Sequence, residues 1–203
     1  MGIELNKVLV VHCHTSGING KSTYSENDFS IAEGYQPVSI ALIVADVETY
    51  EVIDEMYVEI KWNGVSKWDA GAEKIHGLSK EYLEEHGEIE EDALVDVMEF
   101  IMNNMDIKKP LYCMGNNITT LHLPFLRDLF KRYELSGIRF GIRNFDTFSL
   151  SMGTINKFDQ DSVLSKLGIK KGKKSNELAR NALTTYKRIN KAWNLMLKKN
   201  SNG

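Results

Sequence analysis

Apolar residues fall into two patterns along this chain, and the switch between them lays out the fold. In the first sixty residues they run nearly unbroken, so that Val8 to Val11, Gln36 to Val47 and Glu51 to Trp62 read as strands. Glu48-Thr49-Tyr50 separates the last two at hairpin spacing. Beyond Trp62 the period becomes helical. Ala70 to Lys74 and Ser79 to Glu85 read as short helices about Ile75-His76-Gly77-Leu78, with Ser79 as the N-cap of the second. Glu90 to Met105 puts Ala93, Leu94, Val97, Met98, Ile101 and Met105 on one face, with its acids in the first turns where the helix dipole favours them. Pro110 to Met114 reads as a short strand broken by Gly115-Asn116-Asn117, and a helix follows from near Thr120 to Tyr133 with Pro124 in its first turn. Ile138 to Phe145 reads as a further strand, and Asp159 to Leu167 and Asn176 to Lys198 as helices. The last helix carries an apolar stripe of Leu178, Ala182, Tyr186, Ile189, Trp193 and Met196 or Leu197, with Trp193 read as core packing. This order predicts one mixed α/β domain over residues 1–203, without internal repeat or linker. Ile18 to Gly34 is a polar, Gly-bearing loop longer than a simple connection needs, either disordered or covering the mouth beside the first strand.

That first strand carries the candidate chemistry. Alternate residues of an extended chain share a face, so Val8, Val10, His12 and His14 project together, and two imidazoles leave the strand end side by side. Each ring has a nitrogen that wants a partner when buried. Water or backbone satisfies it in the plain reading; in the sharper one the pair ligates a metal.

Composition adds three constraints. With 203 residues, 42% hydrophobic and 26% charged, the chain can bury a sizeable core, and no apolar run reaches the roughly 20 residues a membrane span needs. Met1 to Lys7 lacks the features of a signal peptide, so an intracellular, cytoplasmic location is expected, with Cys13 and Cys113 as free buried thiols. The net charge of −3 conceals an asymmetry: from Lys166 onward eleven basic residues face the single acid Glu177, a local balance of +10, so the preceding chain carries −13. A basic segment beside a pocket suits a phosphate backbone; a solvated helix face is the plainer account.

The chain resembles the DnaQ-like 3′–5′ exonucleases of the DEDDh group, which have a ribonuclease H-like fold. Their first strand ends in Asp-x-Glu-Thr-x-Gly, to which His12-Cys13-His14-Thr15-Ser16-Gly17 corresponds, keeping Thr15 and Gly17. Ala72 to Ser79 resembles the segment in which an Ile-His-Gly-Ile turn recurs. Gly115 to Leu126 resembles the second motif, with His122 at the position of its Asp and Asn117 or Asn116 in its loop. Phe145-Asp146-Thr147 resembles the Asp-Thr that ends the next strand. Asn176 to Ala182 matches the spacing of His-x-Ala-x-x-Asp-Ala, with Asn176 at the general-base position and Asn181 at the last ligand.

The resemblance implies a ribonuclease H-like mixed sheet flanked by helices, and a site at His12, His14, His122, Asn176 and Asn181. In the family, carboxylates hold two divalent ions that activate water, and the histidine takes its proton. Mg²⁺ requires hard anionic oxygens, and an amide is no general base, so the two-Mg²⁺ reaction is not expected here. Decay of an unused site predicts miscellaneous replacements, yet three of the five histidines fall on ligand positions. Hence two functions compete: a catalytically degenerate exonuclease homologue that binds single-stranded DNA or RNA, or a protein partner, through the inherited cleft; and a hydrolase whose His12, His14 and His122 hold a zinc-like transition metal. Lys170, Lys171, Lys173, Lys174 and Asn117 are the expected nucleic-acid contacts. A scaffold contacting only proteins is a third possibility. His76 reads as a turn cap, His86 as a surface residue at a helix end, and Trp62 and Trp68 as packing at the hairpin end.

Overall fold

The computed structural model describes residues 6–20, 31–135 and 137–201. Of the Ile18–Gly34 loop, residues 21–30 lie outside the described residues. The neck of that segment is closed by the Asn19 N–H donating to the Ile31 carbonyl at 2.8 Å.

The strands β1 (Lys7–Thr15), β2 (Pro37–Asp46), β3 (Val52–Glu59), β4 (Cys113–Gly115) and β5 (Phe145–Asp146) form one sheet in the order β3-β2-β1-β4-β5. β1 runs antiparallel to β2 and parallel to β4. Since β1 and β2 lie inside the sheet with both faces covered, their residues are apolar on both faces, which explains the unbroken runs. On one face Leu9, Val11, Cys13, Ile40 and Leu42 pack against α3 (Glu90–Asn104) and α4 (Leu123–Arg132). On the other, Val8, Val10, Ala41, Ile43 and Ala45 meet Ala179, Ala182 and Leu183 of α7 (Ser175–Ser201). Alanines on both sides of that contact let the long helix lie close to the sheet. Cys13 and Cys113 are free and buried, and burial pushes both thiols up to about 12.

The short helices α1 (Ala70–His76) and α2 (Lys80–His86) form as expected, with Ser79 Oγ accepting from the Tyr82 N–H. Trp62 and Trp68 pack beneath the Lys80 ammonium, 3.8 and 5.4 Å from their rings, and exposed His86 stacks on Tyr82.

Three elements depart from the pattern. The strand expected at Ile138–Phe145 shrinks to Phe145–Asp146 plus an isolated bridge from Phe140 to Leu111. The Asn144 side chain replaces the missing ladder by accepting from the Cys113 N–H at 3.0 Å, and Ile142 is left outside. A helix absent from the pattern, α5 (Thr147–Ile155), follows; it is rich in Ser, Thr and Gly, and its signal is the Asp146 N-cap accepting from the Ser149 N–H. The Ser151 and Thr154 hydroxyls donate back to carbonyls four residues earlier. α6 (Gln160–Leu167) then leads to α7. Finally, Trp193 is not core: α7 outruns the body, and Trp193 is 47% exposed.

Close approach at the centre of the sheet generates a test. A Cβ on Gly115 would lie 2.7 Å from the Val11 carbonyl oxygen, a contact with backbone that cannot swing away. Gly115→Ala should cost about 1 to 3 kcal/mol of stability. Urea unfolding of the variant measures this, and an unchanged midpoint would contradict the close approach.

Candidate functional site

Where β1 ends, the sheet is incomplete. β4 pairs with β1 only at Leu9 and Val10, so further along the strand the Cys13 N–H faces no backbone partner. It donates instead to Nδ1 of His122, at 3.1 Å. His122 reaches that point because the helix before Pro124 starts as a wide π turn over Ile118–His122, entered through Asn117 in the left-handed conformation (φ 52°). The extra residue per turn keeps both Ile118 and His122 buried and sets Pro124 at the junction with α4. The helix thus begins two residues earlier than Thr120.

The rings form a chain. His12 lies 4.3 Å from His122 and 5.2 Å from His14, which lies 5.5 Å from His76, all between centroids. They line a cleft of about 520 Å³ whose apolar walls come from Ile18, Ile75, Leu121, Phe148 and Leu178. Asn116, Asn117 and Gln160 add amides, and among the described residues Asp69 is the one carboxylate and no Lys or Arg lines it. Asp69 is already committed, accepting from the Gly71 N–H at 2.6 Å to cap α1. At the mouth Gly17 has φ 151°, and the Tyr35 ring and Asp69 Cβ occupy the space a side chain would need.

The structure therefore brings His12, His14 and His122 together and adds His76, whose turn-capping role is also present, Nδ1 accepting from the Leu78 N–H at 3.0 Å. The signal for it was the Ile75-His76-Gly77 turn itself. Asn176 and Asn181 do not line the cleft. The Asn176 Oδ1 accepts from the Glu177 N–H, and buried Asn181 donates to the Lys170 carbonyl at 2.9 Å, tying the α6–α7 connection to the helix. Leu178 takes the wall position between them. Asn117 is at the rim; Lys170, Lys171, Lys173 and Lys174 are exposed on the connection entering α7, with Lys171 paired to Asp161 at 2.7 Å and Lys174 5.8 Å from the Tyr57 ring.

All four imidazoles of the cleft are held neutral. Burial, then the neighbouring rings of His122 and His14, lowers His12 well below the usual histidine value. Burial and His76 bring His14 down to about 4. Burial and His14 bring His122 to about 3, against the pull of its backbone hydrogen bonds to Asn116 and Cys13. His76 is lowered by burial despite Glu73. Three of the cleft's residues hold buried nitrogens without a hydrogen bond of normal geometry: His14 Nδ1, His76 Nε2 and Gln160 Nε2.

Neither metal arrangement fits these donors. Among the described residues a pair of Mg²⁺ ions finds no anionic oxygens beyond the capping Asp69. The expected three-histidine site does not assemble either, because accepting from Cys13 consumes the Nδ1 lone pair of His122 and fixes the proton on Nε2. Among the described residues no group of three or more His, Cys, Asp or Glu is disposed to hold a metal ion.

No protein-family profile and no curated protein matches the chain. Solved structures do. The chain shares a ribonuclease H-like fold with exonuclease I. A product-bound exonuclease I superposes with a TM-score of 0.71 at 13% identity, over 92% of this chain and 43% of that one. A zinc-bound complex of E. coli exonuclease I with single-stranded DNA gives 0.72 at 13% identity, over 93% and 41%. The complex of the E. coli enzyme with a 5cy-dT13 oligonucleotide gives 0.70 at 13%, over 93% and 41%. This chain thus spans less than half the length of those exonucleases. Among the described residues no helix is long and apolar enough to cross a membrane.

The neutral cluster makes stability pH-dependent with a definite sign. In the unfolded chain these histidines titrate near 6.5, whereas in the fold His14 does so near 4 and His122 near 3. Their contribution is fully present above pH 6.5 and is lost as pH falls through the window from 6.5 to these lower values. Each histidine should contribute a slope of about 1.4 kcal/mol per pH unit inside that window. Chemical denaturation of the native protein and of His14→Gln between pH 7 and pH 4.5 checks this; the variant should lose one histidine's slope, and parallel curves would refute the assignment.

Proposed function

We propose that this chain is an exonuclease homologue that binds the ends of single-stranded nucleic acid in the histidine cleft and does not perform two-metal hydrolysis. The observation that carries the reading is the concentration of unsatisfied buried nitrogens, on His14, His76 and Gln160, in one largely apolar cleft. Folded proteins pair nearly all buried polar atoms, so orphans gathered in one concave site speak for a ligand that completes them. The bases and sugars of a strand end offer such hydrogen-bonding edges together with flat apolar faces for Ile18, Ile75 and Phe148. Support also comes from the fold, since the similar exonuclease I structures include complexes with DNA oligonucleotides. Charge is supplied from outside the cleft: Lys170, Lys171, Lys173 and Lys174 stand on the connection into α7, whose Leu178 forms one wall.

The absence of hydrolysis follows from donor chemistry. Water activation needs anions to hold the metals and a base to take the proton. Here the corresponding positions carry neutral imidazoles and amides, and Asn176 faces its own helix backbone.

Two measurements test this. Labelled single-stranded DNA and RNA should remain intact with Mg²⁺ or Mn²⁺ at enzyme concentrations that saturate binding; 3′ digestion abolished by His12→Ala would overturn the reading. In fluorescence anisotropy, replacing the four lysines by Ser should weaken oligonucleotide binding and reduce the slope of log K against log salt by about 3, at roughly 0.7 for each phosphate no longer neutralised. An unchanged slope would remove the lysines from the account.

A further inference from the structure

Among the described residues, one face of the second half of α7 is left open to solvent. The first half of the helix is built into the sheet through Ala179, Ala182 and Leu183, whereas Lys187, Lys191 and Leu195 are exposed, Leu195 at 54%. Lys187, Lys191 and Leu195 follow at four-residue intervals and so share a face, along a groove of about 380 Å³ beside the β2–β3 turn, with Glu48 at its rim. Among the described residues neither lysine forms an ion pair.

A complementary face lies elsewhere on the same molecule. The outer side of α3 presents Asp92, Val95, Asp96, Glu99 and Met102, again at helical spacing, with Val95 50% and Met102 52% exposed. None of those three acids has a Lys or Arg partner among the described residues. Burial raises the Glu88 carboxyl, and the nearby Asp96 and Asp92 add to the rise.

We propose that a second copy of this chain covers the Lys187–Lys191–Leu195 face of α7 with its α3. Leu195 meets the Val95 and Met102 side of α3 in this pairing, and the lysines meet Asp92 and Asp96. The partition of charge favours a second copy over other occupants, since the segment from Lys166 carries +10 and the chain before it −13. α3 and α7 lie on opposite faces of the sheet, so the two faces cannot meet within one molecule. The contact is heterologous, head to tail, and assembly grows with concentration instead of stopping at a closed two-fold pair.

Sedimentation velocity of the full chain over about 5 to 200 μM, a range suited to micromolar contacts, reads the assembly. The average mass should rise with concentration at about 50 mM salt, and the association should weaken at least about tenfold at about 500 mM. Lys187→Glu/Lys191→Glu and Asp92→Lys/Asp96→Lys should each be monomeric alone, with unchanged circular dichroism. Mixing the two should restore association, because each reversed face then meets its complement. Leu195→Glu should weaken association without altering the fold. A native protein that stays monomeric throughout, variants that assemble as well as the native chain, or a mixture that stays inert would each overturn the proposal. Binding of the end of α7 to anionic vesicles by a protein monomeric at every concentration would also overturn it.

Discussion

One hydrogen bond organises the cleft: the Cys13 N–H donating to Nδ1 of His122 across 109 residues of sequence. It exists because β4 is short. A longer β4 would have offered Cys13 a carbonyl, and the π turn would have had no reason to deliver an imidazole there. With the bond in place, His122 is fixed in one tautomer, its ring lies against His12, and the mouth of β1 becomes a wall of aromatic nitrogen heterocycles. A buried backbone N–H left unpaired is costly, so the imidazole is a structural part of the sheet edge as well as part of the cleft.

The same bond decides what chemistry the site supports. Three histidines gathered at the end of one strand suggest a metal centre, and ligand type alone makes that attractive. Ligand type is not coordination. A metal needs lone pairs that converge on one point, and the His122 lone pair is directed at a backbone amide. What remains is a largely apolar cleft whose one carboxylate among the described residues, Asp69, caps α1, and which holds buried nitrogens on His14, His76 and Gln160 without a hydrogen bond of normal geometry. The fold does not contradict this, because a fold positions a site without dictating its reaction.

The neutral cluster is also a store of acid sensitivity. Four imidazoles within a few ångströms of one another tolerate burial only while uncharged, and each adds to the cost of protonating the next. With His14 down to about 4 and His122 to about 3, the end of β1 and the π turn are held together under one condition, neutrality of these rings.

Periodicity and turn chemistry were sufficient to read most of the architecture from the residues alone: the two buried central strands, the β2–β3 hairpin, the Ser79 cap, α3, α6 and the body of α7. These are local properties, written in spacing and capping within a few residues. The motif spacing also brought His12, His14 and His122 into one group. Tertiary structure decided the rest. Asn144 stands in for a strand that the apolar run at Ile138–Phe145 promised, since a side-chain carbonyl can satisfy an amide as well as a backbone one. α5 has no clear periodic signature, because its Ser, Thr and Gly content argues against a helix until Asp146 caps it. Asn176 and Asn181 occupy the right spacing yet turn to backbone partners, and His76 joins the cleft through a turn that explains it equally well without one. Trp193 continues a stripe whose period is perfect, but periodicity records only that a face is apolar. Whether that face is covered depends on where the sheet stops, and the length of a neighbouring strand is not written in the helix.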